Sequence, residues 1–175
     1  MSLRCTALSL TLLLMLPAVA HAAEGQWGLG AGVGAGLFDG LSRPGPRLSL
    51  TASRGLTDSW LLGVEVSGAR ARAASQTFWP LQLEGHLDWR LDVIQWIPYL
   101  GAGVGLRELA GLPVAVGSRS TDLVLSGRAG LERALSRSWA LDLHLAYGAG
   151  TLGALDGEPQ AQLTVMLGAQ TRWGW

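Results

Sequence analysis

The chain has no lysine and no asparagine, cysteine occurs once, and no long apolar run is found beyond the first two dozen residues. Each absence excludes something. The 13 basic residues are all arginine and are balanced by 13 acidic ones, so the formal net charge is zero and the basic surplus that a nucleic-acid surface requires is missing. The single Cys5 lies in the N-terminal segment, which leaves residues 23–175 without a thiol, a disulfide or a cysteine ligand for a metal. It also stands too early in that segment to be a lipoprotein acylation site. Beyond that segment no apolar stretch approaches the roughly 20 residues of a membrane-spanning helix, although 49% of the residues are hydrophobic and only 15% charged.

The one apolar run is N-terminal. Arg4 precedes an apolar core from Ala7 to Leu16, followed by Pro17 and the small-residue triplet Ala20-His21-Ala22. That pattern reads as a secretory signal peptide, residues 1–22, cleaved before Ala23. A retained anchor is the alternative, but the core is short for one and a stop-transfer flank is missing. Residues 23–175 are then expected to form one domain.

No sustained helical period follows residue 23; instead, segments of about ten residues alternate between apolar and polar or small residues, with turn-like stretches between them. Eight are expected: Gln26 to Leu37, Arg47 to Leu56, Trp60 to Arg70, Thr77 to Leu91, Pro98 to Arg107, Thr121 to Leu131, Trp139 to Ala149 and a last one ending at Trp175. In the seventh, Trp139, Leu141, Leu143, Leu145 and Tyr147 point one way and Asp142 and His144 the other. In the fourth, Trp79, Leu81, Leu83, Leu87 and Trp89 oppose Gln82, Glu84, His86, Asp88 and Arg90. An even number of strands joined as hairpins brings both termini to one side. The expected fold is all-β, an eight-stranded antiparallel up-and-down transmembrane barrel.

Alternation alone leaves open which face is outside, because a soluble lipocalin-like barrel alternates with its apolar residues inward. The tryptophans favour the membrane. In an up-and-down meander Trp27, Trp60, Trp96 and Trp139 start odd strands, while Trp89, Trp173 and Trp175 end even ones, so seven of the eight tryptophans share a rim. A girdle of indoles at one edge of an apolar wall suits a membrane interface. Trp79 and Tyr147 fall at the opposite rim. The other face then lines a lumen narrow enough to be filled by side chains. Its glycines on the first and fifth strands leave room for a polar network of Glu65, Glu84, His86, Asp88, Arg128, Asp142 and His144. Buried charges require partners, and depth counted from the tryptophan rim makes Arg128 the expected hub, pairing Asp142 and at least one of Glu65 and Glu84.

The segment Ile97-Pro98-Tyr99-Leu100-Gly101-Ala102-Gly103-Val104-Gly105, the short turns and the terminal Trp173-Gly174-Trp175 resemble those of small eight-stranded outer-membrane barrels related to the membrane domain of outer membrane protein A. The resemblance implies an outer-membrane location, lipid as the surrounding partner, and a final aromatic residue read by the barrel-assembly machinery. No peptidoglycan-binding domain follows the barrel, so that family role is not carried over. A monomer is expected. Two turns also look alike, Leu56-Thr57-Asp58-Ser59-Trp60 and Leu135-Ser136-Arg137-Ser138-Trp139. Either a duplicated hairpin or two versions of a good turn accounts for them.

Signals for chemistry are sparse. His86 and His144 are the only histidines after residue 22 and fall on non-neighbouring strands, and the carboxylates follow no metal-ligand spacing. The Gly-x-Gly repeats keep a strand's period and precede no helix, so they are not phosphate loops. No catalytic residue, metal or cofactor is expected. The four outer loops, Phe38 to Pro46, Ala71 to Gln76, Glu108 to Ser120 and Thr151 to Pro159, are short, and the third is the most apolar. Three readings remain: a structural or surface-exposed envelope barrel, a narrow channel or transporter for small or hydrophobic molecules, and a soluble periplasmic lipocalin-like binder.

Overall fold

A computed structural model describes residues 24–38, 43–73, 76–91, 96–110, 121–150 and 161–174. The expected signal peptide, the cleavage point before Ala23, Trp175 and most of the third and fourth outer loops lie outside these residues. The strands are β1 (Trp27–Phe38), β2 (Gly45–Gly55), β3 (Trp60–Ala69), β4 (Ala71–Ala73), β5 (Gln76–Arg90), β6 (Trp96–Ala110), β7 (Thr121–Ala134), β8 (Trp139–Gly150) and β9 (Ala161–Trp173). All pairings are antiparallel; β3 and β4 both pair with β5, the other strands pair with their sequence neighbours, and β9 returns to pair with β1, Trp27 opposite Trp173 and Phe38 opposite Gln162. β3 and β4 are two pieces of one stave. Gly68 opposes Leu81 and Ala71 opposes Phe78, so the register against β5 runs through Arg70 without a slip. Eight staves therefore close into a barrel with no free edge, the condition for spanning a membrane with strands.

The ladder fixes the stagger. Starting at Trp27 and stepping across partners Arg54, Leu62, Leu87, Ala102, Gly127, Tyr147 and Leu163, the path re-enters β1 at Leu37, ten residues further on (37 − 27). Such a shear tilts the strands by roughly 40°. Because the offset is even, inward and outward faces match at the closure.

The wall is apolar and exposed. Leu143, Leu145, Leu83 and Val165 all point outward, each about half exposed, as do Leu29, Leu50, Val64, Leu106 and Leu167. Trp27, Trp60, Trp89, Trp96, Trp139 and Trp173 form the girdle at the rim of the termini, with Trp27 opposite Trp173 and Trp60 opposite Trp89; Trp79 and Tyr147 stand at the other rim. A soluble binder with its apolar residues inward has the reverse arrangement.

The two similar turns share their bonding. Thr57 Oγ1 accepts from the Ser59 and Trp60 amides, and Ser136 Oγ from those of Ser138 and Trp139. In each, the carbonyl of the serine before the tryptophan accepts from an arginine on the next strand, Arg90 N at 2.8 Å from Ser59 O and Arg172 N at 2.9 Å from Ser138 O. The hexapeptide Leu29–Gly34 also recurs identically at Leu100–Gly105, on β1 and β6, four staves apart. The likeness thus extends beyond one hairpin.

Several boundaries differ from expectation. β6 continues to Ala110 and β7 to Ala134, so Glu108 to Ala110 is strand rather than loop, and Glu132, beyond the expected end of its segment, sits inside the barrel. Phe38, Ala71 to Ala73, Gly45 and Pro46 are strand as well. Alternation simply outlasts the apolar band, because the ladder keeps gaining hydrogen bonds where the barrel leaves the membrane.

Candidate functional site

Inward side chains form a stack of polar layers along the lumen. Nearest the termini, Glu132 on β7 is completely buried and is met from both sides, by Arg90 Nη2 at 2.8 Å from β5 and by Arg172 from β9, with Gln170 donating as well. The two arginines come from strands whose amides anchor on the repeated turns, which is why they enter the lumen at one level. One carboxylate shared by two guanidiniums closes this end.

The middle layer centres on Tyr99 and Arg128. The Tyr99 hydroxyl donates to Asp142 Oδ1 at 2.7 Å and accepts from Arg128 Nη2 at 3.3 Å, and the Arg128 guanidinium lies over the Tyr99 ring at 5.5 Å. Asp142 Oδ2 is 2.6 Å from His144 Nδ1. Arg128 pairs with Asp88 (3.6 Å) and Glu65 (3.9 Å), and His86 Nε2 is 3.7 Å from Asp88 Oδ2. Glycine makes the room: a Cβ at Gly130 would fall on the Tyr99 ring, and one at Gly63 on the His86 ring.

Above lies a layer built on Arg47, which donates to Ser67 and, at 3.5 Å, to Gln82, and stands 3.8 Å from Glu65. Gln82 and Ser126 donate to Glu84 at 2.6 and 2.7 Å. Next comes the Arg107–Asp122 pair at 3.1 Å. At the mouth opposite the termini the lining turns apolar: Phe38 and Phe78 meet edge to face at 6.1 Å and pack with Leu109, Ala69 and Ala71.

All seven residues singled out from sequence point into the lumen, and Glu65 and Glu84 are directly opposed in the ladder. The expected Arg128–Asp142 ion pair is replaced by a bridge through Tyr99. The stagger is the reason: the ladder opposes Arg128 to Ala146 and Asp142 to Glu132, four residues apart along β8. Arg128 does reach Glu65, and its nearest carboxylate is Asp88. Sequence reasoning missed Glu132, Arg90, Arg172, Arg47 and Tyr99 as members of the network. Glu132 shares Arg128's face at a spacing of four, the signal that was available.

Between the Glu132 and Tyr99 layers is a cavity of about 50 Å³ lined by Ser53, His86, Asp88, Arg90, Tyr99 and Asp142 among others, and a second of about 20 Å³ lies beyond Arg128 and His144. The larger has room for roughly three or four water molecules. His86 Nδ1 and Asp88 Oδ1 have no hydrogen-bond partner within the protein, which marks them as the groups such water would serve. Among the described residues no cluster of three or more His, Cys, Asp or Glu side chains is arranged to hold a metal ion.

No protein-family model and no curated protein matches the sequence. Solved structures do. Neisserial surface protein A (NspA) aligns with a TM-score of 0.63 at 18% identity over 86% of this chain and 96% of its own. The N-terminal β-barrel domain of Pseudomonas aeruginosa OprF gives 0.58 at 13% identity over 86% and 100%. The outer-membrane enzyme PagL gives 0.52 at 17% identity over 82% and 97%. These identities speak for fold alone, and a set that includes an enzyme shows the fold to be compatible with catalysis. In fold, the chain is a closed eight-stranded antiparallel barrel of the small outer-membrane type.

Proposed function

We propose that the protein is an integral outer-membrane barrel with a structural or surface-exposed envelope role, exported behind a cleaved leader and inserted by the barrel-assembly machinery through its terminal aromatic segment. The observation that carries this reading is the inverted distribution of side chains, with exposed leucine and valine around the wall, indoles at its rim and arginine–carboxylate pairs inside. In water such a wall would aggregate; in a bilayer it is the low-energy surface. The closures at both ends favour a non-conducting barrel over a channel, since the Glu132 lock and the Phe38–Phe78 plug lie in series. The hydroxyls that meet a carboxylate, Ser126 at Glu84 and Tyr99 at Asp142, lie inside the filled lumen, which favours a non-enzymatic role as the simpler reading.

Membrane fractionation with heat-modifiable gel mobility tests the location: the protein is expected in the outer-membrane fraction, with a folded band that shifts on boiling. Recovery in the soluble fraction without detergent contradicts it. Deleting Trp173 to Trp175 is expected to block insertion while leaving export intact.

A further inference from the structure

Two outward arginines stand above the apolar wall at the rim opposite the termini. Arg70, between β3 and β4, and Arg72, in β4, occupy successive outward positions and are exposed. The Arg70 guanidinium lies 5.9 Å from the Trp79 ring centroid, and its amide donates to Pro46 O at 3.0 Å. A guanidinium laid on an indole is held against the wall while its edge donors stay free for an anion. No described carboxylate pairs with either arginine, and that includes Glu108, the outward acid opposite Leu81.

Directly beneath them the wall is notched. Gly68 sits one outward step below Arg70, Leu81 one outward step from Trp79, and Leu48 opposes Gly68 in the ladder. From there an apolar groove of about 690 Å³ runs across the wall past Val66 to Ala31 and Ala169. Glycine and alanine make its floor, and branched side chains its ridges. A Cβ at Gly68 would approach the Leu81 side chain to 3.3 Å, so the groove head exists because that position is glycine.

We propose that this groove and the two arginines form one lipid site, taking the acyl chains of a lipid from the leaflet on the Trp79 side and binding its phosphate monoester through Arg70 and Arg72. Two guanidiniums that no described carboxylate pairs, one outward step apart, match a dianionic head better than the single charge of a diester. The groove crosses several staves, from Leu81 on β5 to Leu141 on β8. The site rests on the membrane reading above.

The test uses the refolded mature protein in detergent and native mass spectrometry, with bisphosphorylated lipid A, its dephosphorylated form and phosphatidylglycerol as probes. Heat-modifiable mobility is recorded on the same samples. The protein is expected to retain lipid A over both other lipids, and excess inorganic phosphate to leave it in place. Arg70→Gln with Arg72→Gln is expected to reduce that preference roughly tenfold or more, whereas Gly68→Leu lowers retention of all three lipids alike. Equal retention of the phosphorylated and dephosphorylated lipids, retention unchanged in the double variant, phosphatidylglycerol held as well as lipid A, or displacement by phosphate would each overturn the proposal. A wild-type protein without the mobility shift would overturn the membrane reading instead.

Discussion

The wall and the lumen of this barrel obey the same two-residue alternation but differ in what each position demands. On the wall, Leu, Val and Ala are nearly interchangeable, because every one of them meets the same apolar surroundings. In the lumen each charge has particular partners: Glu132 answers two arginines, and Tyr99 couples Arg128 to Asp142. The wall thus sets where the protein resides, and the lumen sets which barrel it is. Substitutions should separate the two, since a polar residue is tolerated or ruinous according to face alone.

The sharpest break is expected at Glu132. Glu132→Ala leaves Arg90 and Arg172 buried without their shared carboxylate, and unfolding in detergent or bilayers should show a loss of about 3–5 kcal/mol; a loss below about 1 kcal/mol would mean that the lock is wet and unimportant. Next is the wall. Leu143→Arg, near mid-strand, is expected to cost about 2–4 kcal/mol, and Trp139→Arg, at the rim of the same strand, only about 0–1 kcal/mol. Equal costs at the two positions would remove the depth dependence on which a membrane wall depends. Smaller again are couplings within the lumen. Double-mutant cycles should give Arg128 an interaction of about 1–2 kcal/mol with Asp88 and a weaker one with Asp142, transmitted through Tyr99. The reverse order would restore a direct Arg128–Asp142 pair. Smallest are the repeated turns, where Thr57→Ala and Ser136→Ala each remove an acceptor for two amides and should cost about 1 kcal/mol apiece. Clearly unequal values would show that the two turns carry different loads.

The same contrast explains what the sequence discloses. Face assignment needs only parity, so Leu143 and Val165 outward and Glu84 and His86 inward are readable from alternation. Contacts across the lumen need the stagger. A ten-residue shear displaces partners by several residues from a count made at the rim, so Asp142 meets Tyr99 and His144 and not Arg128, the partner that such a count gives it. Phe38, Phe78 and Leu109 show a second limit. They are apolar yet inward, because the mouth lies beyond the band where apolar means lipid-facing, and there parity rather than hydrophobicity tells the face. Glu132 escapes the reading for a simpler reason: apolar alternation points to an end at Leu131, the last outward leucine of a strand that runs on to Ala134.

The central claim is that the leucine–valine wall faces lipid and the charged face does not. Nitroxide labels at positions 143 and 165, with a control at the inward position 144, test it most directly in reconstituted bilayers. Labels at 143 and 165 should be quenched by oxygen dissolved in the hydrocarbon and shielded from a water-soluble nickel chelate, and the label at 144 should be shielded from the bilayer's oxygen. Labels at 143 and 165 that respond to the nickel chelate and not to oxygen would turn the barrel inside out and contradict the account.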